Sequence, residues 1–209
     1  MAVYCIVPAA GESSRFPFNK LLYKYSNKPL IVQTIENIAE SSIFDKIIIV
    51  LGYRADLVVE VLKSVEKYAD LLDLVINPDF RKGMSTSIKT GVKYIVEKYS
   101  SIDIICVNPG DVAWIHPGVY VNVYARFIEH LEDFYVAVAT YNGRRGHPIF
   151  FSRAILQDLL SITEEKMGLR EITFKYRDRT LLVETGYPGV ILDLDTVLDL
   201  LRIKQLVYK

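Results

Sequence analysis

The sequence predicts an α/β protein of three layers, α/β/α, with helices on both faces of a mostly parallel sheet. Three observations carry that expectation. Short β-branched runs alternate with longer amphipathic stretches along the whole chain. Several of the short runs, 46–51 and 102–107 among them, are almost continuously apolar, as parallel strands covered on both faces require. Strand and helix candidates also succeed one another instead of segregating, which favours one layered sheet over separate all-α and all-β parts.

Taken in order, the β-branched run 3–7 is the first strand. Residues 29–41 form an amphipathic helix opened by Pro29, whose missing N–H costs nothing at a first helical position. Strands at 46–51 and 72–76 flank a helix at 55–68. Serines suited to capping open the helix 85–98. A strand at 102–107, a helix at 118–131 and strands at 135–140 and 148–151 follow. Helices at 153–160 and 169–176, a strand at 181–184, a last short strand near 190–192 and a helix at 196–206 complete the series.

With 209 residues, 51% of them hydrophobic, the chain has material for one globular domain over 1–209, and no repeat or Pro/Gly-rich linker divides it. Lys plus Arg and Asp plus Glu both number 25, which removes the bulk electrostatic argument for nucleic acid or an anionic membrane as partner. The first apolar stretch is too short and lacks the basic leader of a secretory signal, and no later run has the length of a membrane span, so a cytoplasmic protein is expected. Cys5 and Cys106 fall inside strands without metal-site spacing and read as small buried hydrophobes. The 14 tyrosines mostly sit beside lysines on helix flanks and read as amphipathic cover.

The most informative segment is Ile6 to Lys20, Ile-Val-Pro-Ala-Ala-Gly-Glu-Ser-Ser-Arg-Phe-Pro-Phe-Asn-Lys, which joins an apolar strand to a small-residue loop ending in two cations. Ala9, Ala10 and Gly11 lack bulk, so their N–H groups can approach phosphate oxygens closely; Ser13 and Ser14 add hydroxyls, and Arg15 and Lys20 add charge. Such a loop suits a triphosphate. It is not the Walker pattern, having no Gly-Lys-Ser/Thr, nor the dinucleotide fingerprint, having one glycine.

Ligands of parallel sheets bind beyond the carboxyl ends of the strands, and the other candidates follow strands in the same way. After 72–76 comes Asn77-Pro78-Asp79-Phe80-Arg81-Lys82-Gly83-Met84-Ser85-Thr86-Ser87. This is either an ordinary capped connection or a pocket in which Asn77, Gly83 and the first-turn amides hold a nucleobase. After 102–107, Asp111 is a candidate ligand for Mg²⁺, the alternative being an Asp in a Gly-Asp turn. Asp193 and Asp195 alternate on an extended run and would share a face, as metal ligands or at a solvated end, while Asp195 also reads as a helix N-cap. Arg144-Arg145-Gly146-His147-Pro148 brings cations and an imidazole to a strand start, and His147 reads as a binding or hydrogen-bonded residue ahead of a proton-transfer one.

These segments resemble, in unbroken order from Tyr4 to about Leu201, the nucleotidyltransferase branch that contains molybdenum cofactor cytidylyltransferases, the MobA-like NTP transferases. The first loop is similar to the family's Leu-Ala-Ala-Gly-x-Ser-x-Arg-Met/Phe-Gly-x-x-Lys signature. The stretch from Asn77 is similar to Asn-x-x-Trp/Phe-x-x-Gly-Met-x-x-Ser, which adds Met84 and Ser85 to the nucleotide pocket. The resemblance implies a Rossmann-like nucleotidyltransferase fold and transfer of a nucleotide to a substrate phosphate with release of pyrophosphate. Arg15, Lys20 and Asp111 would act at the triphosphate, and Mg²⁺ would be held by Asp111 with Asp195 or Asp193. His147 and Arg170, the latter in a block similar to Gly-Asp-x-Gly-Ala/Leu-Arg, would meet the second substrate. An Ala-Ala-Gly entry accompanies CTP users in the family, so Ala10 implies CTP, and the implied acceptor is molybdenum-loaded molybdopterin. The chain departs from the pattern at Pro8 for Leu, Pro17 for Gly and Val112-Ala113 for Gln-Pro, the last expected to shape the second-substrate cavity. A sugar- or polyol-phosphate nucleotidyltransferase, or a non-catalytic nucleotide-binding partner of a molybdoenzyme, are the alternatives.

Overall fold

The computed structural model describes residues 1–194, 196 and 198–207. Strand β1 (Val3–Ala9) is followed by a loop, a two-stranded ribbon of β2 (Lys24–Tyr25) and β3 (Lys28–Pro29), and helix α1 (Leu30–Glu40). Then come β4 (Lys46–Leu51), α2 (Ala55–Leu62), β5 (Leu72–Ile76), α3 (Met84–Lys98), β6 (Ile104–Val107) and α4 (Pro117–Ile128). The chain closes with β7 (Val136–Tyr141), β8 (Arg144–Ser152), α5 (Leu156–Ser161), α6 (Leu169–Lys175), β9 (Thr180–Glu184) and α7 (Asp199–Val207).

The large sheet has seven strands in the order β5-β4-β1-β6-β8-β7-β9. All its pairings are parallel except the two made by β8, which runs against both β6 and β7. The expected three-layer, mostly parallel architecture is therefore what forms. Alternation along β1 shows why: Val3, Cys5, Val7 and Ala9 enter the core under α1, α2 and α4, while Tyr4 and Ile6 enter the core under α3, α5 and α6. The central strands β1, β4 and β6 thus bury side chains on both faces, and apolar burial on both sides drives the layering. Cys5 and Cys106 face each other in register on β1 and β6, both free and buried, and burial pushes the Cys106 thiol above its ordinary range.

From β1 the chain steps outward to β4 and β5, then returns to place β6 on the other side of β1. That reversal makes a switch point at the carboxyl ends of β1 and β6, where adjacent loops part and leave a crevice.

A third, smaller core of Phe16, Leu30, Ala113, Leu192, Leu194 and Ile203 lies beneath the β1 loop. The one predicted strand that does not form, near 190–192, leads into this core. Residues Pro188–Ile191 are a 3₁₀ turn that packs against β8 and β7, and both of those strands are already paired on two sides within the sheet. Leu192 and Leu194 still alternate inward and Asp193 outward, so the apolar period is kept without a ladder. Helix α2 also ends early, at Leu62, and the chain continues to Leu71 in 3₁₀ turns broken at Val65 (φ −108°, ψ 25°).

Candidate active site

The β1 strand delivers Pro8, Ala9 and Ala10 to its carboxyl end, and the loop then folds back on itself. Ser13 takes a left-handed conformation (φ 54°) and its carbonyl accepts from Phe16 N at 2.8 Å. Phe16 turns down into the third core, edge-on to Phe18 and Tyr23, and anchors the loop from below. The Ser13 hydroxyl oxygen accepts from Lys20 N at 3.1 Å, and Asn19 Oδ1 accepts from Leu21 N at 3.1 Å, so Lys20 sits on a fixed turn. Ser14 and Arg15 remain exposed at the tip.

Asp111 is brought to that loop by backbone pairing that outlasts β6. Asn108 N donates to Ile6 O and Gly110 N to Pro8 O, each at 3.0 Å, so the turn runs alongside the end of β1. The result is an ion pair, Lys20 Nζ to Asp111 Oδ2 at 2.5 Å, with side chains only 18% and 13% exposed. Partial burial strengthens such a pair relative to a surface one.

Together these loops line a cavity of about 460 Å³, to which Ala9, Ala10, Gly11, Ser13, Arg15, Lys20 and Asp111 contribute. The opening of α3 supplies more of the wall, through Phe80, Gly83, Met84 and Ser87. Gly83 has φ 107°, a conformation side chains rarely adopt, and a Cβ there would overlap the carboxyl end of Glu164. Glu164, from the loop between α5 and α6, also lines the cavity, and its Oε2 accepts from Ser85 N at 3.1 Å. An exposed ion pair between Arg81 and Glu12, 2.9 Å, joins the turn before α3 to the β1 loop.

Not every sequence candidate reaches this cavity. Asn77 is buried with its polar atoms committed: Nδ2 donates to Thr86 Oγ1 (2.8 Å) and Ser87 Oγ (3.0 Å), and Oδ1 accepts from Asp79 N (2.9 Å). It positions the wall, as does buried Ser85 through its amide. Arg170 is exposed on α6 and lies outside the lining. Asp193 is exposed beyond the 3₁₀ turn, and Asp195 lies outside the described residues. His147, next to a cis peptide bond to Pro148, is part-buried, and its Nδ1 has no hydrogen-bond partner among the described residues. Burial holds its imidazole below its ordinary range, against the upward pull of the Asp111 charge and a bond with the Val107 backbone. Val112 and Ala113 are 2% exposed and packed into the main and third cores, outside the lining of this cavity.

Nothing in the sequence singles out Glu164 or gives Phe80 a role, and Ser87 stands there only among the serines suited to cap the helix. The turn chemistry of Gly83 was visible; the arrival of Glu164 at Gly83 from a distant loop was not.

Two cations and two carboxylates thus line a crevice at a switch point, with a small-residue loop on one side and a helix start on the other, which is the architecture of a nucleotide-handling transferase. A family model, the MobA-like NTP transferase domain, matches residues 5–180, and the chain belongs to that family; it is a nucleotidyltransferase. It is 26% identical over 206 residues to the molybdenum cofactor cytidylyltransferase of Escherichia coli (strain K12), covering 98% of this chain and 96% of that one. It is 27% identical over 138 residues to a pseudaminic acid cytidylyltransferase of Campylobacter jejuni, covering 66% of this chain and 58% of that one. A solved nucleotidyl transferase from Methanothermobacter thermautotroptrophicus shares the fold with a TM-score of 0.76 at 24% identity, covering 98% and 96% of the two chains.

Proposed function

We propose that this protein transfers CMP from CTP to molybdenum-loaded molybdopterin and releases pyrophosphate. The observation that carries the reading is the Lys20–Asp111 pair set against the small-residue loop inside the cavity. The amides of Ala9, Ala10 and Gly11 and the hydroxyl of Ser13 cradle the triphosphate, while Arg15 and Lys20 neutralise it. Gly83, Met84 and the start of α3 face the base and ribose, with Asn77 and Ser85 fixing that wall. The acceptor phosphate oxygen forms a bond to the α-phosphorus as the bond to the β-phosphate bridging oxygen breaks, and the electron pair leaves with pyrophosphate. An ionised phosphate needs no general base, so the residues contribute positioning and charge neutralisation.

The donor set fits a hard cation that arrives with its nucleotide. Asp111 offers one cavity-lining carboxylate, and among the described residues no group of three or more His, Cys, Asp or Glu forms a ready-made metal site. Mg²⁺ would be held by Asp111, with Asp193 or Asp195 as the further contact, and would supply Lewis-acid polarisation of the phosphate. His147, beside the Asp111 charge, orients the acceptor, and Arg170 meets its outer part.

CTP is favoured by Ala10 in the family's Ala-Ala-Gly entry, and the acceptor by the Escherichia coli relative, matched over nearly the whole of both chains. The Campylobacter relative supports a second reading, cytidylyl transfer to a sugar acceptor. Pyrophosphate release with CTP, GTP, ATP and UTP, with Mg²⁺ and with or without molybdenum-loaded molybdopterin, tests the proposal. Release confined to CTP and dependent on the pterin is expected. Release only with sugar or polyol phosphates replaces the acceptor, and no release with any pair overturns the enzymatic reading.

A further inference from the structure

The cavity lining divides by origin. The β1 loop brings the cations, whereas the start of α3 and the α5–α6 loop bring Phe80, Met84, Ser87 and Glu164. Phe80 is half-buried and Met84 is 52% exposed, an aromatic and an apolar surface of the kind a flat base covers. Glu164 makes no ion pair among the described residues, unlike Asp111. Its Oε2 is engaged by Ser85 N, and a carboxylate has acceptor capacity beyond one such bond. Ser87 Oγ accepts from Asn77 Nδ2, so its own proton is left to donate. The wall therefore presents one acceptor and one donor beside an apolar face, on elements other than the β1 loop that brings the cations.

We infer that Glu164 selects the base: its carboxylate accepts from the exocyclic amino group of cytosine, and the Ser87 hydroxyl donates to the neighbouring ring nitrogen. Uracil and guanine present N–H and carbonyl at the corresponding positions in the reverse order, which would set a carbonyl oxygen against the carboxylate with no proton between them. A site whose polar group is left unpaired rejects the wrong ligand strongly. The Glu164 carboxyl end lies close over Gly83, which has no Cβ to meet it, and the bond from Ser85 N orients it. The inference rests on the proposed function for the presence of a nucleotide, and goes beyond it in assigning base choice to the α5–α6 loop.

The test is the dissociation constants of CTP, UTP, GTP and 2′-deoxy-CTP, measured by calorimetry on the whole protein and on Glu164→Gln, with thermal melts alongside. Glutamine keeps an oxygen for Ser85 N and turns a donor toward the cavity. CTP and 2′-deoxy-CTP should both weaken about tenfold, the worth of one charge-assisted hydrogen bond, while UTP gains, so that the CTP-to-UTP preference collapses. Equal weakening of all nucleotides would reduce Glu164 to a cap on α3, and no change would remove it from recognition. Weakening of CTP without weakening of 2′-deoxy-CTP would reassign Glu164 to the ribose. If Glu164→Gln melts early, Glu164→Ala must still lose CTP preference over UTP, or the inference falls. Preferential CTP binding by the unaltered protein, lost in the variant, upholds base selection even if no acceptor yields pyrophosphate. Absence of binding by every nucleotide defeats both readings.

Discussion

Lys20 carries two jobs at once: its backbone N–H closes the β1 loop on Ser13, and its ammonium meets Asp111. A substitution by alanine deletes only the second. Lys20→Ala is therefore expected to keep the fold by circular dichroism and to lower kcat/KM for the nucleotide by roughly 10²–10³-fold, as when one preorganised charge-stabilising group is removed. A drop below tenfold would take Lys20 out of the reacting centre. The loop that holds it was legible because its chemistry is local: small residues, hydroxyls and two cations within one short segment. Asn77 and Ser85 were legible as belonging to the site, but their bonds run inward, which no spacing reveals. Glu164 was illegible for the opposite reason, since its partner Ser85 lies far away in sequence and nothing near position 164 announces it.

Elements are held against one another where backbone meets backbone. A Cβ at Gly146, on β8, would fall on the Val190 carbonyl oxygen, and one at Gly189 would fall on the Trp114 carbonyl oxygen. These two contacts pin the 3₁₀ turn at Pro188–Ile191 across β8 and the loop after β6, and backbone cannot yield as a flexible side chain does. Gly146→Ala and Gly189→Ala should each cost about 3 kcal/mol in urea unfolding, the upper end of overpacking. The α5–α6 unit that carries Glu164 is tied by Asp158, which accepts from Lys175 Nζ at 2.7 Å and from the Tyr176 hydroxyl. Those hydrogen bonds hold the Asp158 carboxyl below its ordinary value of 3.8. A carboxylate depressed in the folded state stabilises it above the unfolded pKa and loses that contribution as pH falls below it. Asp158→Asn should thus be less stable than the unaltered protein at pH 7, by under about 1 kcal/mol for a partly exposed pair, with the gap closing in melts near pH 3. Strand positions were readable from β-branched runs, and β4 and β5 match their expected bounds. The failed strand near 190–192 shows the limit, because an apolar alternation states which side chains turn inward but not whether a neighbouring edge is free.

Over the whole molecule, the sheet order and the switch point explain why residues from the β1 loop, the β6 turn and the start of α3 meet at one crevice. No helix among the described residues is long and apolar enough to cross a membrane. The sequence placed Val112 and Ala113 after a strand but not inside the core, where both are 2% exposed. One feature of the topology also bears on time. Every parallel pairing in the sheet joins strands separated by a crossover, whereas β7 and β8 are neighbours in the chain, linked by Asn142 and Gly143 at φ 49° and 73°, the tight reversal that favours a hairpin. Hairpins close in microseconds, while long-range parallel pairing must first overcome loop-closure entropy. Pulse-labelled hydrogen exchange during refolding should find the β7 and β8 amides protected before those of β4 and β5, and simultaneous protection would contradict this order. The reversed strand would then be the molecule's nucleus, with β6 and β9 recruited onto a ribbon already formed and the nucleotide-binding half assembling last.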